Sequence, residues 1–557
     1  MKLYMFVLLL AGFCQISYAQ AGSNVMDSGK FQLYKNAKDA GTESFTIKDA
    51  NNAESSSSVN LTGQPLNFKT TTAYKDGAPK SFELDQEPNI KLLFAFDNGA
   101  VNVTGIKEAM GKTSPNAVIL ENLVWHHYYF LIQRYDQKKG GVQNFSGFVP
   151  SVMANLPVTV EARERGVSID GIPVKLDHYV ATANLTLGIS IWTDTDGKLI
   201  YVTIPSQAIE AIRQEYAGNI ESVRTAVAEA AKRHPSKEID YSAPANAPFT
   251  AEEVTVQAKG HTLGGTLLLP KTGHKPFPAV ITITGSGQQT RDEPIPLPGL
   301  ENYKPFRQIA EALASNGIAV LRVDDRGVGK STGLEGLKEA TTFDFADDTR
   351  AQVAYLRTRP EIDPNRIGLI GHSEGGVIAP IVASTDPKIA AIALMAGTAK
   401  TGEKVSMSQA EFAIDNAGKT GEEKKELLDK QQKLLQEAMS GTNDPSLPGQ
   451  LKLPWMITFL KYDPLPTIEK VHQPILILQG ALDQQVTADQ APTLEKAARE
   501  AGNKDVTMKI FPGLNHLFLI SKTGAFSEYS SLPESTIREN VINTITDWFQ
   551  QKLKPGK

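Results

Sequence analysis

Residues 367–380 read IGLIGHSEGGVIAP. A serine hydroxyl is a weak nucleophile until a neighbouring base takes its proton. Ser373 lies between Gly371 and Gly375, directly after an apolar run of Ile and Leu. Glycine adds no core volume and costs backbone entropy, so its use here predicts a sharp, crowded turn. G-x-S-x-G after a buried strand and before a helical stretch is the context of a nucleophile elbow, and that strand context argues against a plain glycine-rich connection.

The partners of such a serine follow it in the order acid, then histidine. After Ser373 only His472 and His516 remain. His472 immediately precedes the apolar run PILILQ, at the wrong end of a strand. His516, in FPGLNHLFL, follows the final strand and is the candidate base. The candidate acid is Asp483, in GALDQQV after PILILQG; Asp489 reads as helical and Asp463 lies in an insertion. Asp483 is expected to accept a hydrogen bond from His516 and stabilise its imidazolium. Acyl transfer also needs N–H donors for the oxyanion. The backbone of Glu374 is one candidate. The loop TGSGQQTRDE supplies the other, Ser286, with Gly287 or Gln288 as alternatives.

These residues need a scaffold that brings strand ends together. From residue 251 the chain alternates unbroken apolar runs (PAVITITGSG, IAVLRVDDRG, RIGLIG, IAAIALMAG, PILILQG) with helical stretches. Such runs predict a mostly parallel, doubly wound sheet covered on both faces. An insertion at about 401–470 begins as a charged helix pair and ends in LPWMITFLKYDP. Its length suggests a lid, with Trp455, Met456 and Phe459 as apolar lining of a substrate pocket. Upstream, 62–205 alternates apolar and polar residues, including Leu185, Leu187, Ile189 and Ile191, and carries an Asp196-Gly197 hairpin signal. It predicts a twisted antiparallel sheet. Residues 20 to about 60 are polar and Ser/Asn-rich and read as loops or loosely packed edges, and 206–233 reads as a helix. The expected organisation is therefore a signal peptide at 1–19, a β-rich domain with a terminal helix at 20–233, a linker at 234–250, and an α/β domain at 251–557.

Residues 251–557 resemble the serine α/β-hydrolases. More narrowly, they are similar to bacterial exported esterases with a G-S-G oxyanion loop followed by Arg-Asp and a G-H-S-E-G-G elbow. Here those are Gly285-Ser286-Gly287 with Arg291-Asp292, and Gly371 to Gly376; DDRGVGKS and LQGALDQQV also match. The resemblance implies the fold, the Ser-His-Asp triad and ester hydrolysis. The peptidases and thioesterases among such families leave the substrate open.

The first nineteen residues combine Lys2, an apolar run from Leu3 to Phe13 and small residues Ser17 and Ala19, the pattern of a cleaved signal. Phe13 before Cys14 argues against a lipid anchor. Cys14 is the single cysteine among 557 residues, so cleavage would remove thiol chemistry and disulfides. The localisation expected is secreted or periplasmic, in a bacterium. A net charge of −5 gives no sign of nucleic-acid binding. His126-His127 in the aromatic run VWHHYYFLIQ could suggest a metal pair, but neighbours on a strand face opposite ways, so the run reads as core, with no metal and no cofactor expected. Asp324-Asp325-Arg326 reads as a network beneath the site. Glu374 is left to face the pocket, bond Arg291 or meet water. The expected substrate is a small-molecule or glycan-linked ester. A prolyl-oligopeptidase-like peptidase, a thioesterase, and an envelope glycan- or lipid-binding protein with a vestigial hydrolase domain are the alternatives.

Overall fold

The computed structural model describes residues 25–555 apart from 61–64, 88–89, 104–110, 151–153, 184–186, 235–238, 296, 298–299, 301, 417 and 443–448. The signal-peptide reading, Leu185 and part of the linker lie outside these residues. The chain divides into two compact units, one made largely of residues up to Ile239 and the other of Asp240 onward. No helix among the described residues is long and apolar enough to cross a membrane.

The N-terminal unit is a fifteen-stranded sheet. Its first strand, Asp27–Lys35, pairs antiparallel with its last, Ile209–Arg213, and joins two meanders into one surface. Two sequence expectations are corrected here. The described part of 20–60 is neither loop nor sheet edge: it contains the strands Asp27–Lys35, Lys38–Asp49 and Asn52–Val59, each paired on both sides. In the last of these, Ser55 and Ser57 occupy inward positions where alternation normally shows apolar residues, and the Ser55 hydroxyl pairs with Thr70 Oγ1 at 2.8 Å. Satisfied cross-strand hydroxyls can hold a strand that carries no hydrophobic signal. Likewise 206–233 is not one helix. Ile209–Arg213 is a fully buried strand, and the helix covers only Ile220–Arg233; pairing on both sides overrode the local 3.6-residue spacing.

The VWHHYYFLIQ stretch also differs from expectation. His127–Ile132 is a short helix, so the two histidines do not point to opposite faces of a strand; both are buried with rings 4.7 Å apart. The Glu43 carboxylate accepts from His126 Nδ1 at 2.8 Å and from the Trp125 N–H at 2.9 Å. His127 Nδ1 accepts the Glu121 N–H and its Nε2 bonds Thr72 Oγ1. Both rings therefore have protein partners inside the aromatic core of this unit.

The second unit is an eight-stranded sheet. Its strands are β1 (Phe249–Ala258), β2 (His261–Pro270), β3 (Phe277–Ile283), β4 (Ala319–Val323), β5 (Ile362–His372), β6 (Ile389–Met395), β7 (Ile475–Gly480) and β8 (Val506–Phe511). Their spatial order is β1-β2-β4-β3-β5-β6-β7-β8. The β1–β2 and β2–β4 pairs are antiparallel and all others are parallel. This is the α/β-hydrolase fold. The flanking helices include α1 (Pro305–Ser315), α2 (Thr342–Thr358), α3 (Gly375–Ala383), α7 (Gln490–Glu500) and α8 (Glu539–Lys552), and the insertion between β6 and β7 adds α4 (Gly402–Asn416), α5 (Gly421–Ser440) and α6 (Pro454–Lys461). The central strand β5 buries Ile367 to His372 without a break, as a strand covered by helices on both faces must. Helix α2 starts on a capping box: Asp344 Oδ2 accepts the Thr341 N–H at 2.8 Å.

The loop after β3 is pinned from beneath by Arg291, which has no solvent exposure. Its Nε and Nη2 grip the two oxygens of Asp324 at 3.1 and 2.8 Å, its backbone N–H adds a third bond to Asp324, and its Nη1 reaches Glu253 and Thr266. Arg291 thus pairs with Asp324, not with Glu374. Replacing Asp324 by Ala would strand this buried guanidinium with only Glu253 and Thr266 as partners. Loss of one partner of a buried pair costs about 3–5 kcal/mol, and urea unfolding of Asp324→Ala beside wild type is expected to show a loss of that order.

Candidate active site

The strand-to-helix turn between β5 and α3 puts Ser373 at φ 54°. This left-handed backbone costs a non-glycine residue on the order of 1–3 kcal/mol. The glycines allow it. A Cβ on Gly371 would lie 2.0 Å from Gly375 O, one on Gly375 would lie 2.1 Å from Ile283 O, and one on Gly376 would lie 2.8 Å from Gly397 Cα. No side chain fits at any of the three. The Ser373 N–H donates to Met395 O at 2.8 Å, tying the turn to the end of β6. The serine side is half-buried while its neighbours His372 and Glu374 are buried.

Asp483 and His516, from the loops after β7 and β8, meet with Oδ2 and Nδ1 2.8 Å apart. Each is 4% exposed. The carboxylate is fixed by three further contacts: Oδ1 accepts the N–H groups of Gln485 and Val486 at 2.8 Å each, and Oδ2 accepts from the Gln479 amide at 2.8 Å. An acceptor at Nδ1 assigns the proton to that nitrogen and leaves Nε2 as the basic one. His472, by contrast, is exposed before β7, Asp463 is exposed and accepts the Leu465 N–H, and Asp489 stands at the start of α7 and pairs with Lys400.

The loop after β3 lies against the elbow. A Cβ on Gly285 would sit 3.1 Å from Ser373 Cβ. The Gly285 N–H is already used, donating to Glu293 Oε1 at 2.7 Å, and the Gln289 N–H goes to Asp325 Oδ2 at 2.9 Å. Between them run Ser286, Gly287 (φ 116°) and Gln288. Glu293, at φ 53° and 2% exposed, also meets His372 Nδ1 at 3.0 Å. His372 Nε2 in turn lies 3.0 Å from the His516 carbonyl. Glu293 and His372 stand within the motifs GSGQQTRDE and GHSEGG, yet nothing in their spacing shows that they meet.

Glu374 does not face water. Its Oε1 accepts from the Thr342 hydroxyl at the start of α2 and from the Trp455 indole Nε1–H of α6, both at 2.7 Å. Trp455 stacks on Phe459 with ring centroids 5.5 Å apart, and Gly402 packs against Phe459. Met456 and Phe459 are half-buried. Trp455 therefore anchors the insertion to the elbow through a polar bond as well as an apolar surface. Asp325, expected to belong to a network with Arg326, parts from it. Arg326 bonds Asp348, whereas Asp325 accepts from the Thr284 hydroxyl and Gln289. Burial pushes the Asp325 carboxyl up to about 8, against those two hydrogen bonds, and the charges of Glu293 and Glu374 push the same way. A cavity of about 40 Å³, lined by Asp325, Thr349, Gln352 and Glu374 among others, lies behind the loop.

An α/β-hydrolase sheet thus carries a serine at the β5–α3 turn and an Asp–His pair on the loops after β7 and β8. Residues 299–522 match a family model described as serine aminopeptidase, S33. The chain is 28% identical over 308 residues to Esterase EstD of Thermotoga maritima, covering 54% of this chain and 68% of that protein. It is 31% identical over 84 residues to Thiohydrolase apmlB of Arthrinium phaeospermum, covering 15% of this chain and 27% of that protein. A structure of an esterase from Pyrococcus furiosus superposes with a TM-score of 0.38 at 16% identity, over 57% of this chain and 98% of that one.

Two outcomes follow from the buried carboxyls. Trp455→Phe keeps the ring and removes one donor from Glu374. It is expected to lower stability by about 1–3 kcal/mol, measured by thermal or denaturant unfolding, and to increase protease cleavage within 401–470. For Asp325, a folded-state carboxyl held above its unfolded value means that the unfolded chain binds fewer protons above about pH 4. Wild type should lose stability relative to Asp325→Asn as pH rises from about 4 towards 8, read from denaturant midpoints across that range. A constant difference would show that Asp325 ionises normally.

Proposed function

We propose that this chain is a serine hydrolase of carboxylic esters, working through an acyl-enzyme. His516 Nε2 removes the Ser373 proton as Oγ attacks the ester carbonyl. The N–H groups of Glu374 and Ser286 hold the oxyanion. The C–O bond breaks, and the alcohol departs with the proton now on His516. A water then gives its proton to His516 and attacks the acyl carbonyl; the acid leaves and Ser373 regains its proton. No step calls for a cofactor. The observation that carries the reading is the 2.8 Å Asp483–His516 bond on loops that end beside a strained serine.

The matching family description names an aminopeptidase, which gives peptide cleavage a second hearing. Recognition of a free amino terminus needs an available carboxylate near the nucleophile. Glu374 is the nearest in sequence, but its Oε1 is committed to Thr342 and Trp455. That supports esters over aminoacyl substrates. The relative described as a thiohydrolase keeps thioesters within the same chemistry. The apolar run at 3–13 and the small residues at 17 and 19 support export to a bacterial periplasm or medium, with a small-molecule or glycan-linked ester as substrate.

The test is turnover of p-nitrophenyl acetate, butyrate and octanoate, an acyl thioester and an aminoacyl anilide by wild type and Ser373→Ala. Ester hydrolysis that disappears in the variant is expected. Asp483→Asn should lower kcat by about 10⁴-fold, because the amide no longer orients the imidazole in the required tautomer. Cleavage of the anilide alone would replace this reading with the peptidase.

A further inference from the structure

His372 is a buried, titratable side chain that the proposed steps do not use. It is 5% exposed and stands directly before Ser373. Its ring lies 4.8 Å from that of His516, and Phe518 closes another side. Both of its nitrogens face oxygens: Nδ1 meets Glu293 Oε1 and Nε2 meets the His516 carbonyl, each at 3.0 Å. A backbone carbonyl can only accept, so Nε2 must carry a proton. Glu293 Oε1 also accepts the Gly285 N–H at 2.7 Å, so the oxygen that faces Nδ1 is already serving as an acceptor. A neutral imidazole has one N–H and could satisfy one of the two oxygens, not both.

We propose that His372 is held as an imidazolium against the Glu293 carboxylate, and that it is a positioning residue which ties the His516 loop and the loop after β3 to the nucleophile elbow. This rests on the serine-hydrolase reading above. The three partners come from three separate segments: Glu293 from the loop after β3, His372 from the end of β5, and His516 from the loop after β8. One side chain with two protons joins all three. If one proton is lost, one of the bonds goes with it, and the base loop or the loop after β3 gains freedom relative to Ser373. A displacement of about 1 Å in such a site can cost about 10²-fold in rate.

The surrounding charges agree. Burial opposes the charged ring, but the Glu293 charge and hydrogen bond outweigh it, helped by the His516 carbonyl and the Asp483 charge, so His372 is raised above the ordinary imidazole value. The other groups around the pair are Glu374 on the neighbouring turn, Asp325 at the end of β4, and Tyr303, which Glu293 pushes upward after burial has already done so. A folded value above the unfolded one gives stability that is complete below the unfolded value and fades as pH rises through the folded value. The tie is therefore lost on the alkaline side.

The experiment is ¹⁵N-histidine NMR of the full-length protein over a pH series, with kcat and KM for p-nitrophenyl butyrate on the same samples. His372 is expected to be doubly protonated at neutral pH and to lose its second proton after the exposed histidines. Glu293→Gln, which keeps the shape and removes the charge, should move that titration and the alkaline limb of kcat to lower pH. It should also reduce kcat by about 10–100-fold with little change in KM, as a loss of positioning requires. Asp325→Asn is measured in parallel and should leave the His372 titration in place, separating its own alkaline effect. A His372 ring that carries one proton at neutral pH in the wild type overturns the proposal even if Glu293→Gln does not fold. So does a Glu293→Gln titration that coincides with wild type. Fluorophosphonate labelling of Ser373 keeps the two readings apart. Absence of labelling removes the hydrolase reading and the positioning role with it. Labelling together with an unmoved titration removes this proposal alone.

Discussion

The C-terminal unit is organised around one close approach of backbone to backbone. Where β5 turns into α3, three glycines leave no room for a Cβ, and Ser373 is forced into a left-handed conformation. Helix α3 can then start directly over the strand end, with Gly375 against Ile283 O and Gly376 against Gly397. The compression is sustained by the fully buried surroundings of β5 and α3. A strained residue persists only where its neighbours over-determine it, and here the neighbours are the main chains of β3 and β6 as well as the elbow itself.

Around that turn the unit buries several carboxyl groups, and each is given donors. Asp324 holds Arg291 and fixes the loop after β3 from below. Glu293 links the same loop to His372. Glu374 takes the first turn of α2 and the indole of α6. Asp483 takes two backbone N–H groups, an amide and His516. Burying an unpaired charge is costly, and a paired one becomes rigid because its partners cannot leave without exposing that cost. The carboxylates thus act as geometric pins, each joining segments distant in sequence. Asp325 is the exception: with a carboxyl raised to about 8, it avoids adding another negative charge beside Glu293 and Glu374.

The N-terminal unit is built by a different rule. Among the described residues its sheet is antiparallel save for one short parallel pair, and its first strand pairs with its last. Inside lie Trp125, Tyr129 and Phe130 together with the Glu43–His126 pair. Its inner face also carries serine and threonine, of which Ser55 pairs with Thr70 across strands at 2.8 Å.

The sequence by itself determined the parts of the molecule whose cause is local. Glycines flanking Ser373 declare a turn that only glycine tolerates; unbroken Ile/Val/Leu runs declare strands covered on both faces; and the chain order places Asp483 and His516 at the ends of β7 and β8, where the structure brings them to 2.8 Å. The tertiary structure alone decided what depends on non-local partners. The Asn52–Val59 strand carries Ser55 and Ser57 at inward positions and is held by backbone pairing with the strands on both sides. The Ile209–Arg213 strand has helical spacing but lies between two strands that claim its backbone. The aromatic run at 125–132 coils into a helix once it is enclosed. Most of all, Glu293, His372 and the His516 carbonyl are 79 and 144 residues apart along the chain. Hydrogen bonds over such separations leave no periodicity to read, so folding alone could reveal that they meet.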